Sequence, residues 1–146
     1  MKYYLGLGTN LGQKEQNLRR AVEEIEKQIG HVVALSAFYV TAPWGFTSEN
    51  YFLNAACCVE TSLQPLDMLR ATQSIELLLG RTCKSSNGIY HDRLIDIDLL
   101  LCFDAAGHPV RMSTPQLTLP HPLMQEREFV MKPLREILSP KSSYVF

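Results

Sequence analysis

The stretch Arg93-Leu94-Ile95-Asp96-Ile97-Asp98-Leu99-Leu100-Leu101-Cys102-Phe103 is apolar and β-branched enough to be a strand. A strand sends successive side chains to opposite faces. Ile95, Ile97, Leu99, Leu101 and Phe103 then form one apolar face, the side a core would take. Leu94, Asp96, Asp98 and Leu100 lie opposite. Two carboxylates are thereby held side by side, their Cα atoms about 6.5–7 Å apart. Like charges this close repel unless a cation or hydrogen-bond donor compensates them. Oxygen ligands without Cys or His partners suit Mg²⁺, which takes one or two carboxylates and completes its shell with phosphates. The competing reading is a solvated outer face of an edge strand. Strands disfavour Asp, and the two readings stand level on pattern alone.

Working outward from that strand gives the rest of the fold. Tyr3 to Leu7 reads as a short strand running into glycines at 6, 8 and 12. Leu18, Val22, Ile25 and Ile29 recur at helical spacing, with Gly30 where a C-cap glycine belongs. Val32 to Val40 reads as a strand, Thr41 to Asn50 as a loop, and Phe52 to Thr61 as a third strand. Ser62 caps a second helix with Pro65 in its first turn and Gly80 at its end. Its buried stripe is Met68, Thr72, Ile75 and Leu79. Arg81 to Asp92 is a polar loop, and Pro109 to Met112 pairs back on the long strand after a turn at Asp104 to Gly107. A short helix near Leu123 to Met131 and another near Pro133 to Leu138 close the chain. The order βαββαβ with additional C-terminal elements is that of an α+β, ferredoxin-like sandwich with a mostly antiparallel sheet. A dinucleotide-binding opening fails because Leu11 stands where its third glycine belongs. No Gly-Lys-Ser or Gly-Lys-Thr supplies a phosphate loop.

Composition narrows the function classes. Fourteen Lys and Arg against fifteen Asp and Glu leave a formal net charge of -1 over 146 residues. Duplex nucleic-acid binding through a basic field is thereby excluded, and charge has to act locally. With 46% hydrophobic residues the chain can bury a core, and residues 1–146 read as one domain. No signal peptide or membrane-spanning run is visible, so a cytoplasmic protein is expected. Cys57, Cys58, Cys83 and Cys102 form no C-x-x-C pair and read as buried thiols.

Other residues carry possible chemistry. His121 lies between Pro120 and Pro122, which restrict its backbone and aim its ring; an inert turn histidine is the plainer alternative. Arg127, with Arg81, Lys84 and Arg93, offers an anion pocket beside the acid pair; singly, each is an ordinary surface charge. Asn54 sits in an apolar strand, as a satisfied core amide or as a donor–acceptor edge for a heterocycle. Phe52 and Phe129 are core residues or stacking platforms. Glu76 is a solvated helix charge or part of the site.

Taken together, these residues resemble the 6-hydroxymethyl-7,8-dihydropterin pyrophosphokinase family. The resemblance is carried by Gly8-Thr9-Asn10, Ser36-x-Phe38-Tyr39-x-Thr41, Phe52-Leu53-Asn54-Ala55-Ala56 and Glu76 to Gly80-Arg81. It continues through Arg93-x-x-Asp96-x-Asp98, Pro120-His121-Pro122 and Arg127-x-Phe129-Val130-x-x-Pro133-Leu134. It implies the ferredoxin-like fold and transfer of pyrophosphate from ATP to the pterin hydroxymethyl group, releasing AMP, in folate biosynthesis. It implies two Mg²⁺ ions on Asp96 and Asp98, with Arg81, Arg93, Lys84, His121 and Arg127 on the phosphate side. Gln73, Glu76, Leu99 and Thr118 match other ATP-side positions. On the pterin side the matches are Phe52 and Phe129 as the stacking pair, Asn54 as the hydrogen-bonding amide, and Thr41, Ala42 and Trp44 as a closing loop. The resemblance also counts Asp96 among the pterin-side positions. The implied protein is a monomer without nucleic-acid or membrane partners. The chain departs from the family at His91-Asp92, where Gly-Pro is common, at Lys84 and Tyr90 in the polar loop, and at Gln116. A non-catalytic ferredoxin-like module binding a ligand or single-stranded RNA is the competing reading; it would show aromatic and basic residues where Asp96 and Asp98 stand.

Overall fold

Tyr3, Leu5 and Leu7 alternate with Tyr4, Gly6 and Gly8, and this alternation becomes the central strand of the protein's main sheet. The structure, a computed structural model, describes residues 1–41, 51–80 and 94–138. In chain order the elements are β1 (Lys2–Thr9), α1 (Lys14–Gln28), β2 (His31–Leu35), β3 (Tyr39–Thr41), β4 (Phe52–Glu60) and α2 (Pro65–Gly80). There follow β5 (Asp96–Phe103), β6 (Met112–Ser113), β7 (Thr118–Leu119), a 3-10 turn at Met124–Glu126 and α3 (Glu128–Ile137). The sheet order is β2-β4-β1-β5, with β3 also pairing β4, and all of these pairs are antiparallel. This is the expected βαββαβ arrangement of an α+β ferredoxin-like fold.

The two faces of the sheet are covered differently. Leu18, Ala21 and Ile25 of α1 and Met68, Ile75 and Leu79 of α2 pack on Tyr3, Leu5, Leu7, Ile97 and Leu99. On the other face Met124, Val130, Met131 and Leu134 pack on Tyr4, Ala56, Cys58 and Leu101. Adjacent Cys57 and Cys58 fall into opposite clusters, as strand alternation requires. Burial pushes their thiols up to about 12 and about 11, so both stay protonated and inert at neutral pH. Cys102 is likewise buried, and Cys83 lies outside the described residues. Among the described residues no helix is long and apolar enough to cross a membrane.

Several local expectations change. The apolar face of β5 does not run its full length. Leu5 faces Leu99 and Tyr4 faces Leu101, so Leu100 is the extra residue of a bulge. Beyond it Cys102 joins the helix-covered core, while Leu101 and Phe103 turn to the α3 side, where Phe103 meets Tyr4 edge-on at 5.9 Å. The expected strand from Val32 to Val40 is broken in two. The Ser36 hydroxyl accepts from the Ala56 amide at 2.9 Å and donates to the Ala37 carbonyl at 2.7 Å. A side chain thus takes over one ladder bond, and β3 pairs with β4 as a separate strand. Gly30 follows the C-cap Ile29 but has no left-handed φ. It is needed because a Cβ there would stand 2.1 Å from the Glu60 carbonyl oxygen. The left-handed turn is at Gly12, φ 63°. Gly6 and Gly8 are within β1 rather than in that turn.

The remaining differences are at element ends. α2 starts at Pro65, and its first turn hangs on Gln64, whose carbonyl accepts from Met68, rather than on Ser62. Val110 bonds back to Cys102 as expected, but Met112 pairs with Leu119 in a small second sheet. Where two C-terminal helices were expected, α3 runs through Pro133 as one. Val130, Met131 and Leu134, on both sides of the proline, bury against the same sheet face, which outweighs one missing amide.

Candidate active site

The register of three strands builds the centre of the site. Gly8 faces Asn54 on β4 and Asp96 on β5, and Gly6 faces Ala56 and Asp98. Residues opposed across a ladder point to the same face, so Asn54, Asp96 and Asp98 share the α3 side of the sheet. At about 4.8 Å between strands, Asn54 and Asp96 have Cα atoms roughly 10 Å apart. The floor between them is glycine. A Cβ at Gly8 would stand 3.0 Å from the Asn54 Oδ1, and one at Gly6 would touch Leu100 at 3.4 Å. The sequence shows these glycines, but reading them as a floor needs the pairing of β1 with two strands far along the chain, Gly8 with Asn54 and with Asp96.

Each side chain around the floor has a local reason for its place. Asn54 is 6% exposed, and its Nδ2 donates to the Thr41 Oγ1 at 2.8 Å, with β3 lying alongside in register Tyr39–Asn54 and Thr41–Phe52. Phe52, two residues before Asn54, is half-buried on the same face of β4. Asp96 and Asp98 are half-buried on β5, and the core residues Ile95, Ile97 and Leu99 around them hold the strand down. Glu76 of α2 reaches the edge of β5, where its Oε2 accepts from the Ile97 amide at 2.8 Å. It is therefore more than a solvated helix charge. Gln73 lies one helical turn before it, exposed.

The turn after β7 brings the basic residues in. The His121 amide donates to the Leu100 carbonyl at 2.9 Å, which ties the Leu119–Pro120–His121 turn to β5; the Leu119–Pro120 peptide is cis. The His121 Nδ1 accepts from the Leu123 amide at 3.3 Å, so the neutral ring carries its proton on Nε2. Burial holds this imidazole below its usual 6.5, and the Arg127 charge adds to the effect while Asp96 opposes it. Both charges thus act on the ring, in opposite directions. Arg127 is the N-cap of α3 and lies 5.9 Å from the ring centre of Phe129, which is 43% exposed. Arg127 thus stands against Phe129, and its charge and that of Asp96 both reach His121.

Other expected site residues are placed less directly. Leu99 is 3% exposed, and its side chain belongs to the helix-covered core. Thr118 is half-buried on β7 opposite Ser113. Ala42, Trp44, Arg81, Lys84 and Arg93 lie outside the described residues. An open cleft of about 610 Å³ is lined by residues that include Lys14, Arg19, Val40, Tyr51 and Leu53. Leu53 is on the opposite side of β4 from Asn54, so this cleft is not the acid-lined one.

The acid pair fits a hard cation. Among the described residues no group of three or more His, Cys, Asp or Glu converges on one point, so these residues offer two carboxylates. Water and ligand oxygens would complete an octahedron, a division Mg²⁺ accepts. A neutral N–H donor at His121, with the Arg127 charge acting on it, suits an anion.

Similarity to known proteins is found in sequence and in fold. A family model described as 7,8-dihydro-6-hydroxymethylpterin-pyrophosphokinase matches residues 4–139. A Porphyromonas gingivalis protein named 2-amino-4-hydroxy-6-hydroxymethyldihydropteridine pyrophosphokinase is 47% identical over 136 residues, 92% of this chain and 88% of that one. The Bacillus subtilis protein of the same name is 41% identical over 135 residues, 92% of this chain and 76% of that one. The fold matches wild-type Plasmodium falciparum HPPK-DHPS, solved with SDX-DHP, with a TM-score of 0.64 at 16% identity over 93% of this chain. This chain spans 39% of that longer one, and the likeness concerns the fold.

Proposed function

This chain belongs to the 7,8-dihydro-6-hydroxymethylpterin-pyrophosphokinase family of enzymes, and from that premise we propose that it moves the terminal pyrophosphate of ATP onto the hydroxymethyl group of the reduced pterin. The observation that carries the reading is the register setting Asn54, Gly8 and Asp96 side by side. It puts an amide edge for a heterocycle and a carboxylate pair for a cation–phosphate group on one open floor.

In this reaction the substrate hydroxyl oxygen forms a bond to the β-phosphorus of ATP, and the bond from that phosphorus to the α-phosphate bridging oxygen breaks. AMP leaves, and the hydroxyl proton is lost. Asp96 and Asp98 would hold Mg²⁺, two ions with ATP bound; when present, these neutralise phosphate charge and lower the hydroxyl pKa. The chain's own contribution is mainly position and field. Asn54 presents paired donor and acceptor to the pterin ring, with the Phe52 and Phe129 rings as its stacking surfaces. His121 donates its Nε2–H to a phosphate oxygen, and Arg127 supplies positive charge next to it. Glu76 holds β5 at Ile97, between the two aspartates, and so keeps their spacing. Thr118, Gln73 and the Leu99 backbone fit the nucleotide side. Arg81, Arg93 and Lys84 are assigned to the phosphates, and Ala42 and Trp44 to the pterin, by the family resemblance. We read the enzyme as a cytoplasmic monomer that needs no nucleic acid or membrane.

The test is product identity. Incubation with ATP, Mg²⁺ and the reduced hydroxymethylpterin should yield AMP and the pterin diphosphate in equal amounts. ADP as the nucleotide product, or no turnover at all, would overturn the reading.

A further inference from the structure

One contact of α3 lies at the other end of the helix from Phe129. Glu136, in its last turn, accepts the Ala37 amide on both carboxylate oxygens, at 3.0 and 3.2 Å, and also accepts the Tyr39 hydroxyl. Lys132, one turn earlier on the same helix, places its Nζ 5.3 Å from the Tyr39 ring centre. The clamped segment is short. It begins at Ser36, which is bonded to Ala56 of β4 through both its amide and its hydroxyl. It ends at Thr41, whose hydroxyl accepts from Asn54.

We propose that Glu136 is a positioning residue for pterin recognition: through Tyr39 and Ala37 it fixes β3, and through Thr41 it fixes the orientation of the Asn54 amide. The inference rests on the function proposed above. Three physical points support it. First, β3 has three residues and one ladder partner, β4, so its own pairing holds it weakly. A charged acceptor shared by an amide and a phenol is the strong form of hydrogen bond. Second, a primary amide offers either end to a heterocycle, and only its neighbours decide which. Here Thr41 takes the Nδ2 and the bare Gly8 leaves room for Oδ1. Third, the same helix carries Arg127 and Phe129 at its start, so one carboxylate ties the stacking and hydrogen-bonding sides of the ring site together. The Ser36-x-Phe38-Tyr39-x-Thr41 pattern acquires a mechanical meaning: each of its polar side chains is a fixed point of this strut.

The experiment compares Glu136→Ala, Glu136→Gln and Tyr39→Phe in the intact enzyme. Glu136→Ala should raise KM for the pterin about three- to tenfold, the worth of one misdirected hydrogen bond, with KM for ATP within about twofold of wild type. Glu136→Gln keeps an oxygen acceptor for Ala37 and Tyr39 and should recover most of the loss. Tyr39→Phe should fall between. Side-chain amide NMR of Asn54 reads the coupling without turnover: Glu136→Ala should shift the Nδ2 protons and hasten their exchange, and Glu136→Gln should restore them. A fall in melting temperature with unchanged pterin KM and an unchanged Asn54 signal would reduce Glu136 to a structural strut and overturn the proposal. Equal rises in both KM values would do the same. A wild type that makes no AMP would sink the functional reading, while the Asn54 signal would still decide the coupling.

Discussion

Replacing Gly8 by Ala tests the floor of the site with a single methyl group. Gly8 is in extended β1 without a positive φ, so the backbone accepts Ala and gains about 0.5–1 kcal/mol from reduced chain entropy. The methyl carbon would stand 3.0 Å from the Asn54 Oδ1, and no other described atom outside Gly8 and its two chain neighbours lies within 4 Å of it. The amide has to retreat by roughly 0.4 Å to reach ordinary contact. Its Nδ2 is held at 2.8 Å by Thr41, so it yields by rotating. Overpacking of this size costs about 1–3 kcal/mol, and set against the entropy gain the net destabilisation is about 0–2.5 kcal/mol. The fold survives. Ligand recognition suffers more specifically, because one hydrogen bond to the heterocycle is lost or bent. That is worth about 0.5–1.5 kcal/mol, or roughly a three- to tenfold weaker pterin. Pterin and nucleotide dissociation constants are measured separately by calorimetry, and folding by urea melts. A pterin constant within twofold of wild type in a folded variant would refute the argument. So would an equal loss for both ligands, since the added methyl does not reach Asp96.

Asp98→Ala should lower turnover on the order of a thousandfold or more, because several kcal/mol of charge stabilisation go with a lost cation ligand, while the melting temperature stays within a few degrees; wild-type specific activity in the soluble variant would count against the metal role. Gly30→Ala drives a Cβ to 2.1 Å from a backbone carbonyl, which side-chain rotation cannot relieve. It should cost about 2–3 kcal/mol by urea melt, and a stability within about 0.5 kcal/mol of wild type would contradict the close approach. His121 should titrate below 6.5 by NMR in the ligand-free, metal-free protein. Arg127→Ala should raise the midpoint and Asp96→Asn lower it, and no response to the Arg127 change would remove these groups from one neighbourhood. Because its folded pKa is depressed, His121 contributes stability that is present above its unfolded value and lost as pH falls through the folded one.

Much of the site was legible because strand alternation is a local rule. Asp96 and Asp98 had to share a face wherever β5 ran, and Phe52 and Asn54 likewise on β4. The same rule failed beyond Leu99, because a bulge is a property of two paired strands and β1 is far away in the chain. Glu76 reads as an ordinary helix charge until β5 is placed next to α2 and the Ile97 amide needs an acceptor at the sheet edge. Gly30 looks like a helix cap in sequence and turns out to be a point of contact with Glu60. Glu136 gave no sequence signal at all, since its partners lie 99 and 97 residues away and only packing brings them together.

The sequence by itself determined the βαββαβ order, the shared face of Asp96 and Asp98, and the family, since periodicity and residue chemistry act within a few residues. Tertiary structure decided which residues share a floor. It set Asn54 against Gly8 and Gly8 against Asp96, swung His121 onto Leu100, and tied α3 to β3 through one carboxylate. Those contacts depend on register and close packing between distant segments, where a shift of one residue would turn every side chain to the other face.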